Sequence, residues 1–392
     1  MDVAPRGYDG VVLTSPVSFG YRRYVLRDTQ WYLARLLAAC LAHAGIGKRQ
    51  VDGLAVASFT LHPDGAAAMA EQLGLELRFL EDLDVGGTSA VLALRRAARA
   101  VEAGEAEIVA CLAADVMGKA DFEALIANFS SNARDAMHPY GAAGPNAVFA
   151  MITQAYVVRH GTRREDFGKL CIAQRQNALA NPHALFRRPL SMEAYLAARP
   201  VAEPLHLFDC VMPCSGGEAF LVMREARARA LGLPYARLLA AMERHNAFAD
   251  EDLQLAGGWG LGAEAMYAAA AAGPEAMDFL QGYDDYPVVL MMQLENLGFC
   301  AAGEATEFVR RTRFETTGSL PLNTSGGQLS VGQAGAAGGF LGMVEGIRQL
   351  TGETQGDQVA AARHGLVSGF GMVNFRRGIT CGAALLAQGA RA

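Results

Sequence analysis

The run Tyr283-Asp-Asp-Tyr-Pro287 sets two phenols and two carboxylates side by side. A phenol can donate a hydrogen bond to a developing oxyanion, or act as a general acid or base if its pKa is lowered. Adjacent aspartates raise the pKa of a neighbouring phenol, so donation is the easier role. By composition alone the cluster also reads as a solvated turn. A second candidate is the stretch from Pro321 to Gly339, in which six of nineteen residues are glycine. Such a stretch lets backbone N–H groups approach a ligand or a neighbouring chain, and it reads equally as a tight turn against a helix. A third is Asp84-Val-Gly-Gly-Thr-Ser-Ala90, which opens a helix. A helix start lowers the pKa of a thiol placed there, but this one carries no cysteine. Thr88 and Ser89 offer hydroxyls instead. These need an adjacent base to become nucleophiles, so helix N-capping is their expected role. His138, before a Pro-Tyr-Gly turn, is either a loop residue or a contact to substrate. Cys210 and Cys214 have no second pair to complete a zinc site and read as core thiols, and no metal is expected.

The elements that must hold these residues alternate between strand and helix. Val11-Val-Leu13 is a short apolar strand. Asp28 or Thr29 caps a helix that buries Leu33, Leu36, Leu37, Cys40 and Leu41 on one face and stops at Gly45. Val51–Ala57 and Ile108–Ala113 read as buried strands, separated by a helix that runs from Ser89 to a stop at Gly104. This alternation predicts an α/β fold, a parallel sheet covered by helices. Tyr235 opens a strand that begins a second half of similar plan. Each half sets a Gly-Gly turn before a long apolar helix: Gly86-Gly87 in one, Gly326-Gly327 in the other. In the second, Phe340, Met343, Val344 and Ile347 define one buried face and Gly352 ends the helix.

The chain of 392 residues is 52% hydrophobic and 19% charged, enough for a large core. A net charge of −6 argues against a nucleic-acid partner. No apolar run reaches the ~18 residues of a membrane span. The N-terminal Met-Asp-Val-Ala-Pro-Arg-Gly has no secretory character. Seven cysteines without framework spacing imply reduced thiols. A soluble cytoplasmic protein is expected.

The order of residues in these segments resembles the thiolase superfamily. Asn323-x-Ser-Gly-Gly, then Gly332-Gln, is similar to the thiolase C-terminal motif that runs from Asn-x-x-Gly-Gly into Gly-His-Pro. The segment Thr162-Arg-Arg-Glu-Asp-Phe167, Asn181-Pro182 and Asp209-Cys-Val-Met-Pro-Cys-Ser-Gly-Gly-Glu-Ala219 follow the order of the lipid-transfer-protein branch, related to the thiolase domain of sterol carrier protein X. The resemblance implies a five-layered αβαβα body of two duplicated halves, residues 1–232 and 233–392, with a loop insertion at about 115–205 in the first. It expects two mixed five-stranded sheets around paired central helices.

The same resemblance assigns the site. Tyr283 takes the place of the residue that helps hold an oxyanion, and Asp284 falls at the motif's acid. Gln333 replaces the Gly-His-Pro histidine; it cannot shuttle protons but can donate N–H to a thioester oxygen. Gly87 falls where the nucleophilic cysteine would be, and Ser368 falls near the acid–base cysteine. The expected catalytic set is Tyr283, Asp284 and Gln333. The expected substrate-binding set is Gly87, Thr88, Ser89, His138, Tyr286, Asn323, Ser325, Gly326, Gly327, Ser368 and Gly369. Relatives without the cysteine include steroid side-chain aldolases, whose tyrosine at the histidine site is Gln333 here. The implied function is carbon–carbon bond cleavage or formation on an acyl-CoA thioester without a cysteine acyl-enzyme. Coenzyme A enters as part of the substrate, with no covalently bound cofactor. A homodimer and a small OB-fold zinc-ribbon partner are implied. The alternatives are a non-catalytic acyl-CoA- or lipid-binding or scaffold subunit of an acyltransferase complex, and a transferase using a partner's cysteine.

Overall fold

Eleven strands form in the computed structural model, which describes residues 7–127, 131–142 and 144–390. The first six residues of the segment read for a secretory signal lie outside the described residues. The strands are β1 (Val11–Arg22), β2 (Gly53–Ala57), β3 (Phe79–Leu83), β4 (Ile108–Asp115), β5 (Pro200–Ala202), β6 (Leu205–His206), β7 (Ser215–Arg224), β8 (Ala236–His245), β9 (Phe279–Gln281), β10 (His364–Asn374) and β11 (Arg377–Gln388). β5 and β6 form a separate antiparallel ribbon. The other nine make one sheet in the order β3-β2-β4-β7-β1-β8-β11-β10-β9.

The first five of these strands belong to the first half of the chain and the last four to the second. The two groups join through a short antiparallel contact, Val12 opposite Arg237 and Leu13 opposite Ala236. The expected fifth strand of the second half does not form. In its place Leu322 makes an isolated parallel bridge to Leu280, because the glycine-rich chain beyond it turns at once into helix. β4 is buried along its whole length, as a strand covered by helices on both faces must be.

Helices cover both outer faces and fill the space between the half-sheets. Asp28 caps the helix Thr29–Ala44, its Oδ1 accepting from the Trp31 N–H at 2.8 Å, and Gly45 ends it in left-handed conformation. This helix lies on the outer face of the first half, in a core with Val12, Leu54 and Leu112. The helices Ser89–Ala103 and Ala337–Thr351 lie together in the middle, in a core drawn from β4, β7, β8, β10 and β11. Because it is enclosed on all sides, Ala337–Thr351 is buried from Ala337 to Leu350 except at Gly342, not on one face as its periodicity suggested. Its polar residues therefore find partners indoors: Glu345 Oε1 accepts from the Thr324 hydroxyl at 2.7 Å. Helices of the 119–196 segment cross over to the second half. Gly144–His160 and Arg164–Asn177 pack on Pro287–Asn296 in the third core, and the Tyr156 hydroxyl donates to Glu295 at 2.7 Å. The resulting order is helix, sheet, helix, sheet, helix. No helix among the described residues is long and apolar enough to cross a membrane.

Candidate active site

β9 ends at Gln281, and the chain then runs through Tyr283-Asp-Asp-Tyr286 into the helix Pro287–Asn296. Nearly two turns into that helix, Gln293 reaches back and clamps the Tyr283 backbone. The Tyr283 N–H donates to Gln293 Oε1 at 2.9 Å, and Gln293 Nε2 donates to the Tyr283 carbonyl at 2.7 Å. The Ser368 hydroxyl, on β10, donates to the same Oε1. With its backbone fixed, Tyr283 sends its ring along the wall of a cavity of ≈ 360 Å³. That wall is mostly apolar, with Phe59, Met117, Phe186, Phe208 and Phe370 among its residues.

The polar groups converge at Asp285. The Tyr283 hydroxyl donates to Asp285 Oδ2 at 2.8 Å, and Gln333 Nε2 donates to Asp285 Oδ1 at 2.6 Å. Burial, then the charge and hydrogen bond of Asp285, push the Tyr283 phenol well above its ordinary value. Burial likewise pushes the Asp285 carboxyl up to about 7; the Tyr283 bond pulls it back and the Asp284 charge adds to the rise. Gln333 is pinned through its main chain, its N–H donating to Met212 at 2.9 Å and its carbonyl accepting from Cys214 at 3.0 Å. Only its side-chain amide is left for the cavity. Tyr286 also lines the cavity; its hydroxyl donates to Asn146 Oδ1 at 2.6 Å and its ring stacks on Phe149. A phenol, a carboxylate near neutral pKa and an amide donor in one apolar pocket can hold, pass and return a proton.

Asp284, the expected acid, turns the other way. Its Oδ1 accepts from the Gln328 N–H at 2.9 Å and its Oδ2 from the Leu329 N–H at 3.1 Å, and it does not line the large cavity. It caps the short helix Gly327–Val331, because the N–H groups at a helix start need acceptors. Gly327 has φ 59°, and a Cβ there would lie 2.2 Å from Asp284 Oδ2, so glycine is what lets the carboxylate close in.

The remaining expected residues divide. Gly87 is on the cavity wall, and a Cβ there would meet Tyr283 Cε2 at 2.0 Å and the Phe370 carbonyl at 2.3 Å. The tyrosine ring thus fills the space that a side chain at 87 would need. Asn323, Ser325, Gly327 and Ser368 line a second, water-sized void of ≈ 10 Å³. Gly326 and Gly369 are close-packing positions: their Cβ atoms would strike Ala178 and the Gly87 carbonyl at 2.5 Å each. Neither Thr88 nor Ser89 caps its helix. The Thr88 hydroxyl bonds to Thr380 on β11 instead, and Ser89 Oγ is buried without a partner among the described residues. His138 is exposed and away from the cavity. Cys214 is buried as expected, but Cys210 is only half-buried and stands on the cavity wall, its thiol pushed up to about 12 by burial. Among the described residues no group of three or more His, Cys, Asp or Glu could hold a metal ion.

Asp285 was counted with the carboxylates beside Tyr283 but not placed in the catalytic set, and Gln293, Asn146 and Arg175 were given no role. A signal for Asp285 was present, since residues two apart share a side of an extended chain and Asp285 stands two from Tyr283.

Residues 240–380 match the family described as thiolase C-terminal domain-like. The chain is 33% identical to a steroid side-chain-cleaving aldolase of Thermomonospora curvata, over 80% of this chain and 83% of the relative. It is 32% identical to a 17-hydroxy-3-oxo-4-pregnene-20-carboxyl-CoA lyase of Mycobacterium tuberculosis, over 86% of this chain and 89% of the relative. Its fold matches a solved Ltp2-ChsH2(DUF35) aldolase with a TM-score of 0.81 at 28% identity, covering 98% of this chain and 99% of that one. The chain belongs to the thiolase superfamily, in the branch of thiolase-like proteins that holds these aldolases.

Proposed function

We propose that the protein cleaves the bond between Cα and Cβ of a β-hydroxyacyl-CoA by retro-aldol chemistry, without a covalent acyl-enzyme. The chain is an enzyme of CoA thioesters, as its relatives are, and carbon–carbon cleavage is the chemistry that the aldolase and the lyase share. The observation that carries the reading is the Tyr283–Asp285–Gln333 chain on the cavity wall, with the Tyr283 ring in the space of any side chain at Gly87.

Tyr283 passes its proton to Asp285 as the phenol oxygen takes the proton of the substrate's β-hydroxyl. The oxygen lone pair forms the carbonyl, the bond between Cα and Cβ breaks, and its electrons pass into the thioester enolate. The second N–H of the Gln333 amide faces the enolate oxygen and stabilises the charge that develops there. The proton then returns from Asp285 through Tyr283 to Cα. The products are a carbonyl compound and a shorter acyl-CoA, with no net change in protons or electrons. Asp284 acts only by holding the helix before Gln333. A small OB-fold zinc-ribbon protein associates with the chain; the support is the second component, ChsH2(DUF35), of the similar solved aldolase.

The test is single-turnover cleavage of a β-hydroxyacyl-CoA panel. Tyr283→Phe keeps the ring and removes the hydroxyl, so the rate falls by ~10²–10⁴ while KM changes little. Equal rates for both proteins on every reacting substrate remove Tyr283 from the mechanism.

A further inference from the structure

Arg175 stands on the wall of the same cavity, and among the described residues no carboxylate pairs with it, the cavity's own acid, Asp285, being bonded to Tyr283 and Gln333. It lies near the end of the helix Arg164–Asn177 and is 6% exposed. Its Nε donates to the Ser330 hydroxyl at 3.1 Å, on the short helix that leads to Gln333. Its guanidinium carbon lies 4.7 Å from the centre of the Phe186 ring and 5.7 Å from that of Phe208. Nη1 and Nη2 have no acceptor among the described residues. Its neighbour Cys171 is a buried thiol whose own pKa is raised, so it brings no charge to pair with the cation. Burial accordingly lowers the pKa of Arg175, but a guanidinium keeps its proton at any working pH.

A buried charge left unpaired destabilises the fold, and the replacement of buried ions by apolar groups of similar volume is often stabilising. Ring faces and one hydroxyl satisfy only part of the guanidinium. What remains is a planar fork of donors open to the pocket, the arrangement that fits a carboxylate in two-point contact.

We propose that Arg175 sets substrate specificity by binding a carboxylate carried on the acyl group, away from the thioester, so that the preferred substrates are CoA thioesters of dicarboxylic acids. The inference rests on the acyl-CoA reading of the site. A coenzyme A phosphate is the competing anion, but Arg175 is enclosed by aromatic rings within a cavity of ≈ 360 Å³. Arg199, exposed and on the same wall, is the better placed of the two for a phosphate.

The experiment is calorimetric binding of CoA thioesters of unbranched dicarboxylic acids of increasing length, each beside its methyl ester. None carries a β-hydroxyl, so binding is read whether or not the protein cleaves anything. At the best length the wild type binds the acid roughly 30-fold or more tightly than the ester. Arg175→Met abolishes that preference, binds the ester as the wild type does, and has an unliganded Tm no lower than the wild type. Arg175→Lys keeps part of the preference. Equal binding of acid and ester by the wild type at every length overturns the proposal without recourse to a variant. So does a preference that survives in Arg175→Met. Loss of affinity for both compounds in Arg175→Met, with no preference in the wild type, assigns the arginine to a coenzyme A phosphate.

Discussion

At the scale of single residues the site depends on which groups share a proton. Tyr283 is too basic to ionise alone, and Asp285, at about 7, is the group able to take its proton at neutral pH. The carboxylate must be free before the reaction begins, so kcat rises with pH as Asp285 ionises, with an acidic limb at about 7. Asp285→Asn removes that limb and lowers kcat by ~10²–10⁴. A pH profile of kcat for both proteins checks this, and a limb retained in the variant would assign it to another group. Cys210 stands on the same wall, yet burial keeps its thiol protonated and a poor nucleophile.

The element that matters most is the five-residue helix Gly327–Val331, between Asp284 and Gln333. A helix so short has little stability of its own, so its cap counts. Asp284 accepts two N–H bonds there through two oxygens; an asparagine can accept only through one. Asp284→Asn is expected to cost ~1–3 kcal/mol. The pH dependence has a definite sign. Burial raises the folded pKa of Asp284 to about 7 from an ordinary 3.8, so its contribution to stability is fully present below the unfolded value and is lost as pH rises through about 7. In Asp284→Asn the fall of Tm across that interval becomes shallower. Its kcat drops through the loosened Gln333, while the acidic limb set by Asp285 stays. Thermal melts in a pH series, read beside the kcat profile, separate the cap from the proton carrier.

On the scale of the molecule, three parts of the chain build one cavity. Gly87 comes from the first half, Asn146 and Arg175 from the helices that cross over, and Tyr283, Asp285 and Gln333 from the second half. No one of them encloses it alone. The first half also ends its sheet at β3, an unpaired edge with Leu80 42% exposed. Co-expression with a genomic neighbour of the OB-fold zinc-ribbon type is expected to yield one complex with two copies of this chain, each contact burying over ~1,000 Å². Light scattering on the purified complex gives the stoichiometry. A single copy of the chain without the small protein under those conditions would overturn this assembly.

What the amino-acid order determined by itself was local, or was carried by motif. The cap at Asp28 or Thr29, the stops at Gly45, Gly104 and Gly352, and the buried strand Ile108–Ala113 depend on neighbours within a few residues. The five-layered plan and Tyr283 came from residue order in motifs. Tertiary structure decided the rest. Asp284 and Asp285 are adjacent and chemically alike, and the difference between them is that a helix start 44 residues away takes one and leaves the other to Tyr283. Thr88 looked like a cap until Thr380, 292 residues on, offered its hydroxyl a partner. Ala337–Thr351 had the pattern of a half-exposed helix, yet two half-sheets enclose it and its polar residues bond inside. Arg175 was one charge among many in a helix until Phe186, Phe208 and Ser330 closed round it, with no ion-pair partner among the described residues. Caps and periodicity act over one or two turns, whereas the partner of a buried polar group is set by packing between distant segments.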